Sequence, residues 1–311
     1  MPKQVRHILG TIFVVAVMFV GPFVLARHML TVSRTDAFVA DQPNYLAHQP
    51  PPKKIKMTPR LARLLRKEFH KVESVPRVFL TKLPETLPEL DNANHKKRLF
   101  TSALLPLVLR ANELILSDRA RLMELRGKFE NQILLKRAER KWLQTMAKKY
   151  RLKRKKDFRT KDIDFLLYKV DIIPPSLALA QAAMESGWGT SRFAQAGNAL
   201  FGEWIWGDGD GLMPLGREEG KTHKIKRFEY LLDSISSYMT NLNRHPSYEE
   251  LRRRRAELRE LNIAVTGAAL APALVDYSER GADYVNDILS IINYNDLDGL
   301  DGARLVAHQS S

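Results

Sequence analysis

Glu185 is the side chain whose neighbours best suit it to chemistry. It ends the segment Pro174-Pro175-Ser176-Leu177-Ala178-Leu179-Ala180-Gln181-Ala182-Ala183-Met184-Glu185-Ser186-Gly187-Trp188-Gly189. Ala and Leu are strong helix formers. Ser176, just after two prolines, is a plausible N-cap, and Gly187 and Gly189 supply a stop. The spacing predicts a short helix with Leu177, Ala180, Ala183 and Met184 on an apolar stripe and a lone acid where the helix runs out. An acid withdrawn from water keeps its proton to higher pH, which suits donation to a leaving-group oxygen. Trp188 beside it offers a flat surface that could desolvate the acid or stack on a sugar. The same residues also fit a structural Glu held by local donors.

Other suggestive patterns fail on spacing. Gly207-Asp208-Gly209-Asp210-Gly211 lacks the G-x-G-x-x-G spacing and the strand–turn–helix setting of a dinucleotide site. Read as a calcium loop, it puts Trp206 first and Arg217 where a bidentate Glu belongs. Asp296-Leu297-Asp298-Gly299 fails likewise, with Tyr294 first and Leu305 last. The 8 His are scattered, so the reading assigns no metal and no cofactor. The chain has no Cys, which excludes a disulfide framework, a zinc ribbon, an iron–sulfur centre and a cysteine nucleophile.

The elements that must position Glu185 are mostly helical. Residues 161–311 read as helix with an irregular Gly-rich stretch at 202–220, and any short β-hairpin belongs around Thr222–Phe228. Upstream, Leu104, Leu107, Val108, Ala111, Ile115, Leu122, Leu125 and Phe129 recur at threes and fours, and Trp142, Met146 and Tyr150 continue the pattern to about residue 150. Pro106 is tolerable only in a first turn, so this helix should start near 103–105. Pro76, Pro84 and Pro88 predict an irregular stretch before it. A short basic amphipathic helix is expected over 57–74. Glu249 and Glu250 lie four residues before Arg253 and Arg254, so Arg252–Arg255 reads as an exposed helix face.

Ile8–Ala26 is a 19-residue run without a charge, after Lys3, Arg6 and His7. It is long enough to span a bilayer with its N-terminus in the cytoplasm. Alternatively, Ile8–Val20 is the apolar stretch of a signal peptide cleaved after Val24-Leu25-Ala26. Either reading places the rest of the protein outside the inner membrane. The expected organisation is an anchor or signal over 1–30, a Pro-rich linker over 31–56, a basic helical region over 57–155, a catalytic domain over 156–297 and a tail over 298–311.

Charge agrees with export. The 311 residues carry 50 Lys+Arg against 35 Asp+Glu, a net +15. Residues 161–311 hold 16 basic and 22 acidic side chains, so the whole surplus lies upstream. Seven of the nine residues Lys148–Lys156 are basic. A nucleic-acid reader would carry its charge on the recognising domain, so no nucleic-acid partner is expected. A basic segment facing anionic lipid or a carboxylate-bearing wall polymer fits better.

Four ordered blocks carry a resemblance. Ala182-Ala183-Met184-Glu185-Ser186-Gly187-Trp188-Gly189 resembles the catalytic helix end of bacterial peptidoglycan glucosaminidases, glycoside hydrolase family 73, a group that includes the flagellar rod-cap hydrolase. Asn198-Ala199-Leu200-Phe201-Gly202 resembles that family's N-x-L/F-F-G segment. Arg227-Phe228-Glu229 through Tyr238, then Asn243-Arg244-His245-Pro246-Ser247-Tyr248, resembles its F…S…Y…L…P-x-Y block. Tyr277-Ser278-Glu279-Arg280-Gly281-Ala282-Asp283-Tyr284 resembles its Y-A-x-D-P-x-Y block, one residue longer and with Gly281 near the proline. Lys97-Arg98-Leu99-Phe100 and Leu107-Val108-Leu109-Arg110-Ala111-Asn112-Glu113 look like the upstream half of the family's proteobacterial Bax branch.

The resemblance implies a mainly α (α+β) fold, a lysozyme-like helical domain with a small β-lobe. It implies hydrolysis of the β-1,4 bond between N-acetylglucosamine and N-acetylmuramic acid in peptidoglycan strands, in the periplasm. Glu185 matches the family's general acid. Its second acid lies in the β-lobe, where this chain offers Glu219 or Glu218. Tyr277 matches a tyrosine at the substrate cleft. Trp188, Asn198, Phe201, Trp204, Trp206, Tyr238 and Tyr248 are the candidate substrate contacts, with Phe201 also suited to the core. A lytic transglycosylase, which needs one acid, and a wall-binding protein that has lost activity are the alternatives.

Overall fold

The computed structural model describes residues 74–153, 157–214 and 222–307. The expected anchor, linker and basic amphipathic helix, except Ser74, lie outside them, as do Glu218, Glu219, residues 154–156 and residues 308–311.

The described chain opens with β1 (Ser74–Val75), followed by a proline-punctuated stretch without regular elements. The long helix α1 (Ala93–Glu130) begins ten residues before the expected start, and Pro106 lies inside it. Two effects explain this. The Asn92 side chain accepts from the His95 N–H at 2.9 Å, so the start signal lies upstream. A proline inside a helix costs roughly 3 kcal/mol. Around it Phe100, Leu104, Leu105, Leu107 and Val108 are all buried, and each such side chain contributes about 1.5–3 kcal/mol. Packing therefore outweighs the missing bond.

The helical pattern expected to continue to residue 150 breaks after Glu130. Gln132 has φ 55°, and α2 (Arg137–Lys149) restarts the helix. Glu139 caps the restart by accepting from the Lys136 N–H at 2.8 Å. Next comes α3 (Thr160–Lys169).

Helix α4 (Pro175–Ser186) carries the candidate acid. It starts one residue before the expected cap, with Pro175 at its first position. The capping group comes from far along the chain. Asp301 accepts from the N–H and the hydroxyl of Ser176 and from the N–H of Gly267, each at 2.8 Å. Every residue from Pro175 to Ala183 is buried, so α4 is enclosed all round rather than along one stripe. It packs against α1 and against three later elements: α8 (Gly267–Leu270), α9 (Ala282–Tyr294) and a short 3-10 turn, Leu297–Leu300.

Between them lie α5 (Arg192–Gly197), the strands β2 (Trp204–Ile205), β3 (Gly211–Leu212) and β4 (Lys224–Lys226), and helices α6 (Leu231–Arg244) and α7 (Glu249–Glu260). The expected hairpin is a three-stranded antiparallel sheet in the order β2-β4-β3. At the end of the described chain β5 (Arg304–Leu305) pairs in parallel with β1. The fold is thus mainly helical with a small antiparallel sheet. One hydrophobic core runs from Val75 to Leu305 and includes α1.

The exposed face expected for Arg252–Arg255 holds for Arg253 and Arg254 and is corrected for Arg252 and Arg255. Arg252 and Arg255 are each 1% exposed. The acids pair at i,i+3, Glu249 with Arg252 and Glu250 with Arg253, rather than at the expected i,i+4. Buried guanidinium groups need acceptors. Arg252 donates to the carbonyls of Leu242 and His245 at 2.8 and 2.9 Å, closing the end of α6. Arg255 donates to Asn243 and to the Ile172 carbonyl.

By length and composition α1 could cross a membrane, but 67% of its most apolar window is buried inside the protein. It is a core helix of this fold.

Candidate active site

The turn after α4 aims Glu185. Gly187, Trp188 and Gly189 have φ of 58°, 56° and 77°, three left-handed residues in a row. Gly suits that conformation because it has no Cβ to clash. Ser186 pins the turn by donating to the Ala182 carbonyl and accepting from the Gly189 N–H at 2.8 Å. A Cβ on Gly189 would lie 2.8–2.9 Å from Leu83, Leu87 and Phe100. The turn is therefore clamped beneath the N-terminal segment and α1.

Glu185 is mostly buried but keeps some exposed surface. Burial pushes its pKa up from 4.5 to about 8, against a smaller lowering by the Tyr284 hydroxyl, which donates to Oε1 at 2.9 Å. The Tyr284 hydroxyl accepts from Gln181 Nε2 at 2.9 Å, and Gln181 Oε1 accepts from the Tyr238 hydroxyl. The chain Tyr238→Gln181→Tyr284→Glu185 has one direction throughout, so each bond polarises the next.

Tyr277 stacks on Tyr284 with centroids 5.2 Å apart, and Tyr248 leans on Tyr277 at 5.8 Å. Burial, and then the charge of Glu185 or of a neighbouring tyrosine, raises the pKa of all four tyrosines. They stay neutral donors beside the carboxyl. A carboxyl that remains protonated at neutral pH, fixed in orientation and reachable from solvent, can act as a general acid.

The structure brings Glu185, Tyr238, Tyr248 and Tyr277 together. Trp188 turns elsewhere, packing edge-on to Phe100 at 5.7 Å with the Lys97 ammonium 5.0 Å above its ring. Phe201 is buried and stacked on Tyr238 at 3.9 Å. Asn198 is buried with φ 52°, and its amide donates to the carbonyls of Phe228 and Glu229. It ties α5 to the chain after β4. Trp204 stacks on His223 at 4.3 Å, and Trp206 is 64% exposed beside it.

Gln181 and Tyr284 were missed as site residues by sequence reasoning, although a signal existed for each. Gln181 lies four residues before Glu185 on one helix face, and Tyr284 closes the block that Tyr277 opens. Glu203 had no such signal. It lines a cleft of about 150 Å³ with Phe201, Trp204, Tyr238, Arg244 and His245. Glu185 is not in that lining; Tyr238 links the two, with its ring on the cleft and its hydroxyl in the chain to Glu185. Among the described residues no three His, Asp or Glu side chains are grouped to hold a metal.

Comparison with known proteins decides the family. The model for mannosyl-glycoprotein endo-beta-N-acetylglucosaminidase matches residues 166–297, and Protein bax of Escherichia coli (strain K12) is 33% identical over 213 residues, covering 68% of this chain and 74% of that protein. The chain belongs to the glucosaminidase family. Membership implies a glycosidase acting on a glycan. The match to Protein bax is too long to fit within residues 166–311, so the similarity extends upstream of the glucosaminidase domain. No solved structure gives a significant match.

Proposed function

We propose that this glucosaminidase is a peptidoglycan hydrolase, an endo-β-N-acetylglucosaminidase that cleaves the β-1,4 bond between N-acetylglucosamine and N-acetylmuramic acid. The observation that carries the reading is the state of Glu185, a mostly buried carboxyl with a pKa of about 8 in a family of glycosidases. Tyr284 donates to Oε1, which leaves Oε2 to hold the proton and deliver it to the glycosidic oxygen. The C1–oxygen bond breaks as that proton arrives, and water adds at C1 after losing a proton to a second carboxylate. That second group is Glu219, or Glu218 beside it, in the connection between β3 and β4. Tyr277 and Tyr248 wall the acid in, and Trp204 and Trp206 offer faces for sugar rings. In this reading the enzyme works in the periplasm, tethered to the inner membrane, which the apolar run Ile8–Ala26 supports, with the basic Lys148–Lys156 segment drawn to anionic lipid or wall polymer.

The test is digestion of purified peptidoglycan by the full chain beside Glu185→Gln, with the new sugar ends identified by mass spectrometry. New reducing N-acetylglucosamine ends, lost in Glu185→Gln, are expected. Anhydro-muramic ends would instead make the enzyme a lytic transglycosylase. No cleavage by the folded protein would favour a wall-binding role.

A further inference from the structure

The cleft beside Glu185 has unmet demands for hydrogen-bond acceptors and for negative charge. Its lining includes Glu203, Trp204, Ser237, Asn241, Arg244 and His245. Two donors on these residues, Trp204 Nε1 and Arg244 Nε, are buried without a hydrogen-bond partner among the described residues. A buried donor left unsatisfied forfeits the hydrogen bond that water gave it in the unfolded chain, and most buried polar groups in native structures have a partner.

Glu203 is the one carboxylate in the lining among the described residues, and its oxygens are engaged elsewhere. Oε1 accepts from the Lys226 ammonium at 3.0 Å, and Oε2 accepts from the Ser237 hydroxyl. Arg244 forms no ion pair among the described residues. Burial first, and then repulsion from Arg151, lowers its pKa, while the charge of Glu203 partly offsets this. The pKa of His245 falls for the same reasons, with Arg151, Arg244 and Arg252 acting on it after burial. Among the described residues, the positive charges of Arg151 and Arg244 act on this cleft, and its one acidic side chain, Glu203, is already engaged by Lys226. A neutral amide carbonyl would satisfy the donors but leave the charge. A carboxylate answers both, and a guanidinium binds it through a planar fork.

We infer that this cleft is a subsite for a carboxylate carried on the glycan strand, with Arg244 as its charged anchor and Trp204 Nε1 as a second donor. The inference rests on the proposed glycan reading and adds which group beyond the sugar ring is gripped. Tyr238 borders both the cleft and the hydrogen-bond chain to Glu185, so a strand held by its carboxylate is registered against the acid. Two sources share this chemistry: the lactyl carboxylate of a muramyl residue stripped of peptide, and the carboxylates of the stem peptide.

The experiment measures equilibrium binding to the full chain carrying Glu185→Gln, with and without Arg244→Gln. Peptide-free strands are compared with the same strands after conversion of their lactyl carboxylates to carboxamides. Peptide-bearing strands are compared with their carboxamide-capped form. The carboxylate form of one pair should bind about tenfold more tightly, the size of one charge-assisted hydrogen bond. Arg244→Gln should bring that ratio close to one, and Arg244→Lys should keep part of it. The pair showing the ratio identifies the source. Equal weakening of both members of a pair by Arg244→Gln would make Arg244 structural, and no ratio in either pair, or no binding at all, would overturn the subsite. Cleavage by the wild-type chain is read in parallel. Its absence overturns the hydrolase reading alone, because the binding ratio still decides the subsite.

Discussion

The surroundings that suit Glu185 to hold a proton also cost the fold stability. The Glu185 pKa is about 8 in the folded protein against 4.5 unperturbed. Between those values the folded state holds the proton more tightly than the unfolded chain. This contribution is therefore fully present below pH 4.5 and is lost as pH rises through 8. Glu185→Gln, which cannot ionise, should have little effect on the unfolding temperature at pH 5 and a stabilising one at pH 8. The whole shift is worth about 5 kcal/mol, and partial solvent access reduces the expected gain to about 1–3 kcal/mol, read by thermal unfolding at the two pH values. Wild-type cleavage should fall above pH 8, where the acid ionises. Tyr284→Phe removes the bond that lowers the Glu185 pKa, so the alkaline limb of the pH–rate profile should move upward. It also strips Gln181 Nε2 of its acceptor, at about 1–2 kcal/mol in denaturant unfolding.

Helix α4 holds its position through groups distant in sequence. Asp301 caps its first turn, and Gly267 of α8 lies flat against it. A Cβ on Gly267 would sit 2.1 Å from Ser176 Oγ and 2.7 Å from the Leu177 nitrogen. The nitrogen is backbone and cannot step aside. Gly267→Ala should destabilise the protein by about 3 kcal/mol, toward the upper end for overpacking. A chemical denaturation midpoint checks it, and an unchanged midpoint would mean that α4 is not rigidly seated. Sequence spacing located α4 to within a residue because Pro175 and Gly187 punctuate it locally. It missed the cap, because Asp301 is 125 residues away from Ser176.

At the scale of the molecule, α1 is structural to the site. Phe100 meets Trp188 in the turn that follows Glu185, and Phe100, Leu104 and Leu105 have no exposed surface. A chain beginning at residue 157 would lose those contacts and expose the faces of α3, α4 and α6 that α1 covers. It should show no cooperative thermal transition and rapid proteolysis, whereas the full chain resists both. A stable, active fragment would make α1 a spacer.

Local pattern settled some of these features and distance settled others. The four ordered blocks identified the family, and they singled out Glu185 as the candidate acid because a helix stop, a small-residue helix and a terminal carboxyl are adjacent in the chain and visible as types. The small sheet was located only in part: β4 lies within the expected Thr222–Phe228, whereas β2 and β3 lie in the Gly-rich stretch read as irregular. Three-dimensional packing decided the rest. Pro106 stands inside a helix because its neighbours are buried, Arg252 and Arg255 turn inward because carbonyls await them, and Trp188 serves α1 where sequence adjacency had paired it with Glu185. The tyrosines around the acid come from three separate segments. Their convergence depends on how α4, α6 and α9 pack, which no window of sequence contains.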